Sequence, residues 1–148
     1  MPTEFKAATF EHFGPNFELR FRIVQHNTGN FFKLMTGDEV LLNLFYNDGT
    51  DTEQHLYFRK KDESVKKTKV VSKGGWADHH IKFYNGILKW YFDKNLVWEL
   101  DTGMDRSYIF KDVTLWFGKG TSVASGEIIH FTVAADNKST DSEEPECN

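Results

Sequence analysis

A chain of 148 residues is sized for one domain, and its lone cysteine, Cys147, leaves no internal disulfide. The net charge of −4 argues against a dedicated nucleic-acid binder, whose footprint is strongly basic, and no apolar run reaches the length of a membrane span. Aromatic residues make up 16% of the chain, with 14 Phe, a balance that favours strands over helices.

In chain order, residues 1–16 read as a lead-in segment with one edge strand, carrying Phe5, Phe10 and Phe13 and stopped by Gly14-Pro15. Phe17 to Val24 alternates Leu19, Phe21 and Ile23 against Arg20 and Arg22, which predicts a half-buried strand. After the turn residues His26 to Asn30 come a short strand at Phe31–Leu34 and a stronger one at Val40–Tyr46. Gln54 to Arg59 places Leu56 and Phe58 inward and His55, Tyr57 and Arg59 outward.

From Lys60 to Lys73 the chain is charged and reads as a solvated loop enclosing a brief strand at Val70-Val71. Gly74-Gly75-Trp76 marks a bend, and Ile81 to Tyr84 pairs into the hairpin that follows. That hairpin, Gly86 to Asp101, turns at Asp93-Lys94-Asn95 and aligns Leu88, Trp90 and Phe92 with Leu96, Trp98 and Leu100 on one apolar face. Such a face needs a second layer, because each large apolar side chain gains roughly 1.5–3 kcal/mol on burial. Phe110–Phe117 and Glu127–Val133 are the last strands, with Ile129, Phe131 and Val133 inward, and residues 135–148 form an acidic tail expected to be disordered.

About ten short strands separated by turns imply an all-β sandwich or barrel spanning residues 17–134. Chemistry is sparse. Asp78-His79-His80 suggests a metal site, but adjacent strand residues face opposite ways and no other His or Cys has ligand spacing, so no metal or other cofactor is expected. There is no Gly-x-Ser-x-Gly, and nothing near Cys147 activates it. Glu99 and Asp101 share a strand face, as two solvent-facing acids also do. Arg59 to Lys73 holds seven basic and two acidic residues, either a solvated segment guarding a sheet edge or a site for an anionic ligand. Trp76, after two glycines, is either core or an exposed platform on which a sugar ring stacks.

Val40-Leu-Leu-Asn-Leu44, Gln54-His-Leu-Tyr-Phe-Arg-Lys-Lys61, Val70-Val71-Ser72 and Gly74-Gly75-Trp76, in that order, resemble the central block of a galectin. Leu88 to Leu100 is similar to that family's late hairpin, and Phe110 to Thr121 to its late strand, so the resemblance covers about residues 17–133. It implies a two-sheet antiparallel jelly-roll sandwich, galectin- or concanavalin-like, that binds β-galactosides without cofactor and is made without a signal peptide. Carried over by register, its ligand-binding residues are His55, Tyr57, Arg59, Lys61, Trp76 and His79. Tyr57, Arg59 and Lys61 stand where the family has His, Asn and Arg; no Pro follows, Ala77 replaces Gly, and His79 occupies the acid's place. Gly-Gly-Trp with a late aromatic strand is also similar to the small all-β domain named after farnesoic acid O-methyltransferase.

The resulting expectation is a non-enzymatic, divergent galectin-like lectin with a glycan or glycoprotein partner, its ligand a non-lactose or anionic glycan. It has no nucleic-acid partner and no membrane span, and is cytoplasmic or secreted without a signal peptide. The alternatives are a protein-interaction sandwich that has lost sugar binding and a barrel-shaped carrier for a hydrophobic small molecule.

Overall fold

The computed structural model describes residues 5–49, 52–60, 63–117 and 126–136, which hold eleven strands and no helix. No helix long and apolar enough to cross a membrane occurs among the described residues. The strands are β1 (Phe5–Phe13), β2 (Phe17–Gln25), β3 (Gly29–Thr36), β4 (Glu39–Asp48), β5 (Thr52–Lys60) and β6 (Glu63–Val70). They continue with β7 (Trp76–Tyr84), β8 (Ile87–Phe92), β9 (Asn95–Asp101), β10 (Phe110–Phe117) and β11 (Gly126–Ala135). A six-stranded sheet runs β1-β10-β3-β4-β5-β6 and a five-stranded sheet runs β11-β2-β7-β8-β9, every pairing antiparallel.

The alternation read from the sequence places the core between these sheets. Leu19, Phe21 and Ile23 of β2, Leu42, Leu44 and Tyr46 of β4, Leu56 and Phe58 of β5, and Leu88 and Trp90 of β8 all point inward and are buried. Phenyl rings tie the layers together. Phe58 meets Phe83 of the facing sheet with centroids 5.5 Å apart, and Phe21 meets Phe32 of the facing sheet edge-on at 5.1 Å. Strand β1 belongs to this sandwich: it pairs with β10 from Phe5 to Phe13, and the Phe13 side chain is buried in the core. The structured unit therefore starts ahead of residue 17. At the other end, Ala135 completes β11 and the Asp136 amide bonds the Asn16 carbonyl at 2.7 Å. The rest of the expected tail lies outside the described residues.

Four local readings change. The lysine-rich stretch is a strand, β6, at the edge of the six-stranded sheet, and not a loop. An edge strand tolerates this composition because its long charged side chains reach water, and Lys69, on the core side of β6, covers the Phe92 ring at 5.2 Å. Leu96 is 47% exposed instead of core-facing. A register shift lets Trp90 pair with Trp98 while Tyr91 pairs with Leu96, so Val97 is the extra residue and Leu96 turns outward. The hairpin turn itself is two residues, Asp93 and Lys94, both left-handed, as a tight antiparallel turn requires. A second shift between Ile129 and Thr132 turns Ile129 out and keeps Ile128, Phe131 and Val133 against the core.

Candidate functional site

The chain crosses from the six-stranded to the five-stranded sheet between β6 and β7, and buried amides fix that crossing. Gln54 of β5 donates to the Gln25 side chain of β2 at 2.8 Å, and the Gln25 amide in turn donates to the Ser72 carbonyl. The Gly74 amide closes the knot on the Gln25 carbonyl at 2.9 Å. Trp76 follows directly, as the first residue of β7 opposite Val24 of β2.

This crossing separates the residues that the sequence grouped. His55, Tyr57 and Arg59 face outward on β5 in the six-stranded sheet. Trp76 faces outward in the five-stranded sheet, 40% exposed, with the Arg22 guanidinium 5.8 Å from its ring centroid. It is not a platform beside Tyr57. Lys61 lies outside the described residues.

His79 is interior, which removes it from any solvent-facing ligand set. It alternates with Asp78 and His80 and points into the core, 3% exposed, between Phe21 (stacked, 5.0 Å) and Phe92 (edge-on, 4.9 Å). The Trp90 indole N–H donates to its Nδ1 at 3.0 Å. Burial pushes its pKa down to about 3, so it is a neutral acceptor for Trp90 at ordinary pH. No group of three His, Cys, Asp or Glu side chains able to hold a metal exists among the described residues.

The outward face of β4, β5 and β6 remains. Register aligns Lys33, Asn43, Tyr57 and Lys66 in one row across β3 to β6. A neighbouring row sets Phe45 opposite His55 and His55 opposite Thr68. The His55 ring lies parallel to Tyr57 at 6.2 Å and edge-on to Phe45 at the same distance, so three rings form a continuous patch. Three of its polar side chains have close polar neighbours. Asn43 donates to the Asn30 carboxamide oxygen at 2.7 Å, His55 Nε2 sits 3.2 Å from Glu53, and Arg59 Nε lies 3.4 Å from Glu39. The Lys66 ammonium stands 5.9 Å from the Tyr57 centroid. At the far end of β4, the Lys73 ammonium 2.8 Å from Asp48 holds that carboxyl below its ordinary range and ties down the segment leaving β6.

Asn43, Tyr57, Arg59 and Ser64, together with the carboxylates of Asp38 and Glu39, line a shallow groove of about 430 Å³ on this face. A phenol ring beside an amide, a guanidinium and a hydroxyl can stack on an apolar ring face while bonding hydroxyl or carboxylate oxygens. Asn43 and Ser64 were absent from the residues carried over by resemblance. Asn43 left one signal, a polar outward position inside the otherwise apolar run Val40 to Tyr46.

No protein-family model matches the chain, and no curated protein matches it in sequence. Its structure does find neighbours. A native heptameric SAP-like pentraxin from Limulus polyphemus aligns with a TM-score of 0.63 at 14% identity, covering 84% of this chain and 65% of the pentraxin. An alginate lyase from Alteromonas sp.272 aligns at 0.53 and 7% identity, covering 82% of this chain and 73% of the lyase. The fold is a jelly-roll sandwich. The receptor binding domain of a botulinum neurotoxin C/D mosaic serotype shares the jelly roll at a TM-score of 0.58 and 15% identity, covering 80% of this chain and 32% of that one. The architecture is consistent with the galectin- or concanavalin-like expectation. The chain spans just under two thirds of the pentraxin's length.

Proposed function

We propose that this jelly roll is a non-catalytic carbohydrate-binding module of divergent galectin-like type, whose ligand is a non-lactose, acidic glycan lying across β4, β5 and β6. The observation that carries the reading is the groove in which Tyr57 offers a ring while Asn43, Arg59 and Ser64 offer polar contacts. Arg59 in the lining and Lys66 beside Tyr57 can meet a carboxylate or sulfate, in exchange for the Glu39 that pairs with Arg59 and beside Asp38, which also lines the groove. Solved neighbours named as alginate lyases, one in complex with a substrate, give the reading support from proteins of the same fold.

Glycan-array binding of the wild type beside Tyr57→Ala and Arg59→Ala tests it. The expected result is a set of acidic glycans bound by the wild type and lost or weakened at least tenfold in both variants. An array profile identical in the wild type and both variants, or no binding by the wild type, overturns the proposal. Acidic oligosaccharides incubated with the protein are expected to stay intact, and chain shortening would contradict the non-catalytic part. The competing reading is a protein-interaction sandwich. It is favoured by the Glu39 and Glu53 carboxylates that already engage Arg59 and His55 on this face, and a wild type that binds no glycan moves the assignment to it.

A further inference from the structure

The outer face of the five-stranded sheet carries a second groove, of about 570 Å³, that no residue of the first site touches. Its floor is set by register: Thr132 of β11, Arg20 of β2, His80 of β7 and Tyr91 of β8 lie side by side. Adjacent strands are about 4.8 Å apart, so this row is about 14 Å long, the span of roughly three sugar rings. Arg22 lines one flank and Lys82 the other, while Lys94 reaches in from the β8–β9 turn. His130 is placed there by the β11 bulge, where its backbone is left-handed at φ 54°. Bulges and strained residues of this kind re-aim side chains at sites.

Four permanent cations line this groove with one carboxylate, Asp78, in a chain whose net charge is −4. Asp78 lies 3.6 Å from Arg22, an exposed pair that gives little energy and is readily exchanged. Glu18, at the border, is already engaged: it accepts from the Tyr84 hydroxyl at 2.8 Å and from His80 Nε2 at 2.6 Å, and lies 3.7 Å from Arg20. The Tyr84 hydrogen bond, opposed by partial burial and helped by His80, holds its carboxyl below the ordinary range. The cations thus outnumber the local acids and focus a positive potential on the groove.

Rings accompany the charge. Tyr91 lies in the floor beside His80, and Trp76, in a separate groove on the same sheet, stands next to Arg22. We infer that this face is a second binding site, for a linear acidic oligosaccharide whose carboxylate or sulfate groups meet Arg20, Arg22 and Lys82 while a sugar ring lies on Tyr91. The site is distinct from the first groove and stands or falls separately. Nucleic acid fits less well, because the acidic remainder of the chain repels a long polyanion that runs past the groove.

Calorimetric titration tests this with a sulfated hexasaccharide, an oligouronate of the same length, a neutral hexasaccharide and a single-stranded oligonucleotide. One or both acidic saccharides are expected to bind in low salt, with affinity falling steeply as salt rises. The double substitution Arg20→Ala/Arg22→Ala, made at exposed positions, is expected to weaken that binding tenfold or more, and Lys82→Ala severalfold. Thermal unfolding of the variants confirms that the sandwich is intact. Tyr57→Ala/Arg59→Ala, on the opposite face, is expected to leave a salt-sensitive component of binding in place. Binding untouched by the β2 and β7 substitutions overturns the inference, as does equal affinity for the neutral saccharide or for the oligonucleotide.

Discussion

The two sheets present outer faces built on the same pleat but furnished differently. On the six-stranded sheet the centre is aromatic and amide, Phe45, His55, Tyr57 and Asn43, and the cations sit toward the edge, Arg59 beside Glu39 and Lys66 over Tyr57. On the five-stranded sheet the cations occupy the centre, Arg20 and Arg22 on β2, and an aromatic ring, Trp76, stands at the rim. A net charge of −4 describes neither face. What a sheet recognises depends on which side of each strand its polar residues take, and a shift of one residue exchanges the two sides.

Both faces rest on one core, so the largest effect is expected where they share support. Trp90 is fully buried and bonded to His79, and Trp90→Ala is expected to cost about 3–5 kcal/mol in urea unfolding and to weaken both sites together. Loss of one site alone in that variant would show that the faces are supported separately.

The next effect is acid sensitivity through the same pair. The folded-state pKa of His79 is about 3 against an ordinary value of 6.5, so below pH 6.5 the unfolded chain binds the extra proton. Stability should then fall by up to about 1.4 kcal/mol for each pH unit from 6.5 toward 3, and be fully restored above 6.5. His79→Gln keeps an acceptor for Trp90 and is expected to flatten the curve between pH 6.5 and 5, where carboxylates titrate little. An unchanged slope would mean that His79 is solvated.

Smaller in stability and sharper for the comparison is Tyr57→Ala. It is expected to remove at least tenfold in glycan affinity, about 1.4 kcal/mol, while shifting the unfolding midpoint by no more than an ordinary surface substitution. Smallest of all is Trp76→Ala, read on the six-stranded face. Because Trp76 lies on the other sheet, glycan binding at Tyr57 should change by less than about twofold, within the few tenths of a kcal/mol by which distant sites add. A large loss would join the two faces into one site.

Much of this was legible in the chain. Alternation alone gave Leu56 and Phe58 inward and His55, Tyr57 and Arg59 outward, because period-two burial is written directly into residue type. Leu96 and Ile129 were misread for one shared reason: each sits beside a bulge, and a single unpaired residue reverses every inward assignment beyond it. A bulge is a backbone event with little signature in composition. The partner sheet of Trp76 was hidden too, since Gly74-Gly75 announces a bend without saying that the chain crosses to the other layer. Alternation already set His79 on the opposite side of the strand from Asp78 and His80; it joined the ligand set only through the resemblance, which did not carry the side that its position takes on β7. The lysines of β6 read as loop because edge strands and loops share the same solvated composition.

The first ligand is placed on β4, β5 and β6, and the rest of the comparison depends on that location. Amide chemical-shift mapping of the wild type, titrated with the acidic glycan that binds most tightly on an array, tests this directly. The largest shifts are expected at Asn43, Tyr57, Arg59 and Ser64. Shifts confined to β2 and β7, or no shifts with any glycan, would contradict that location.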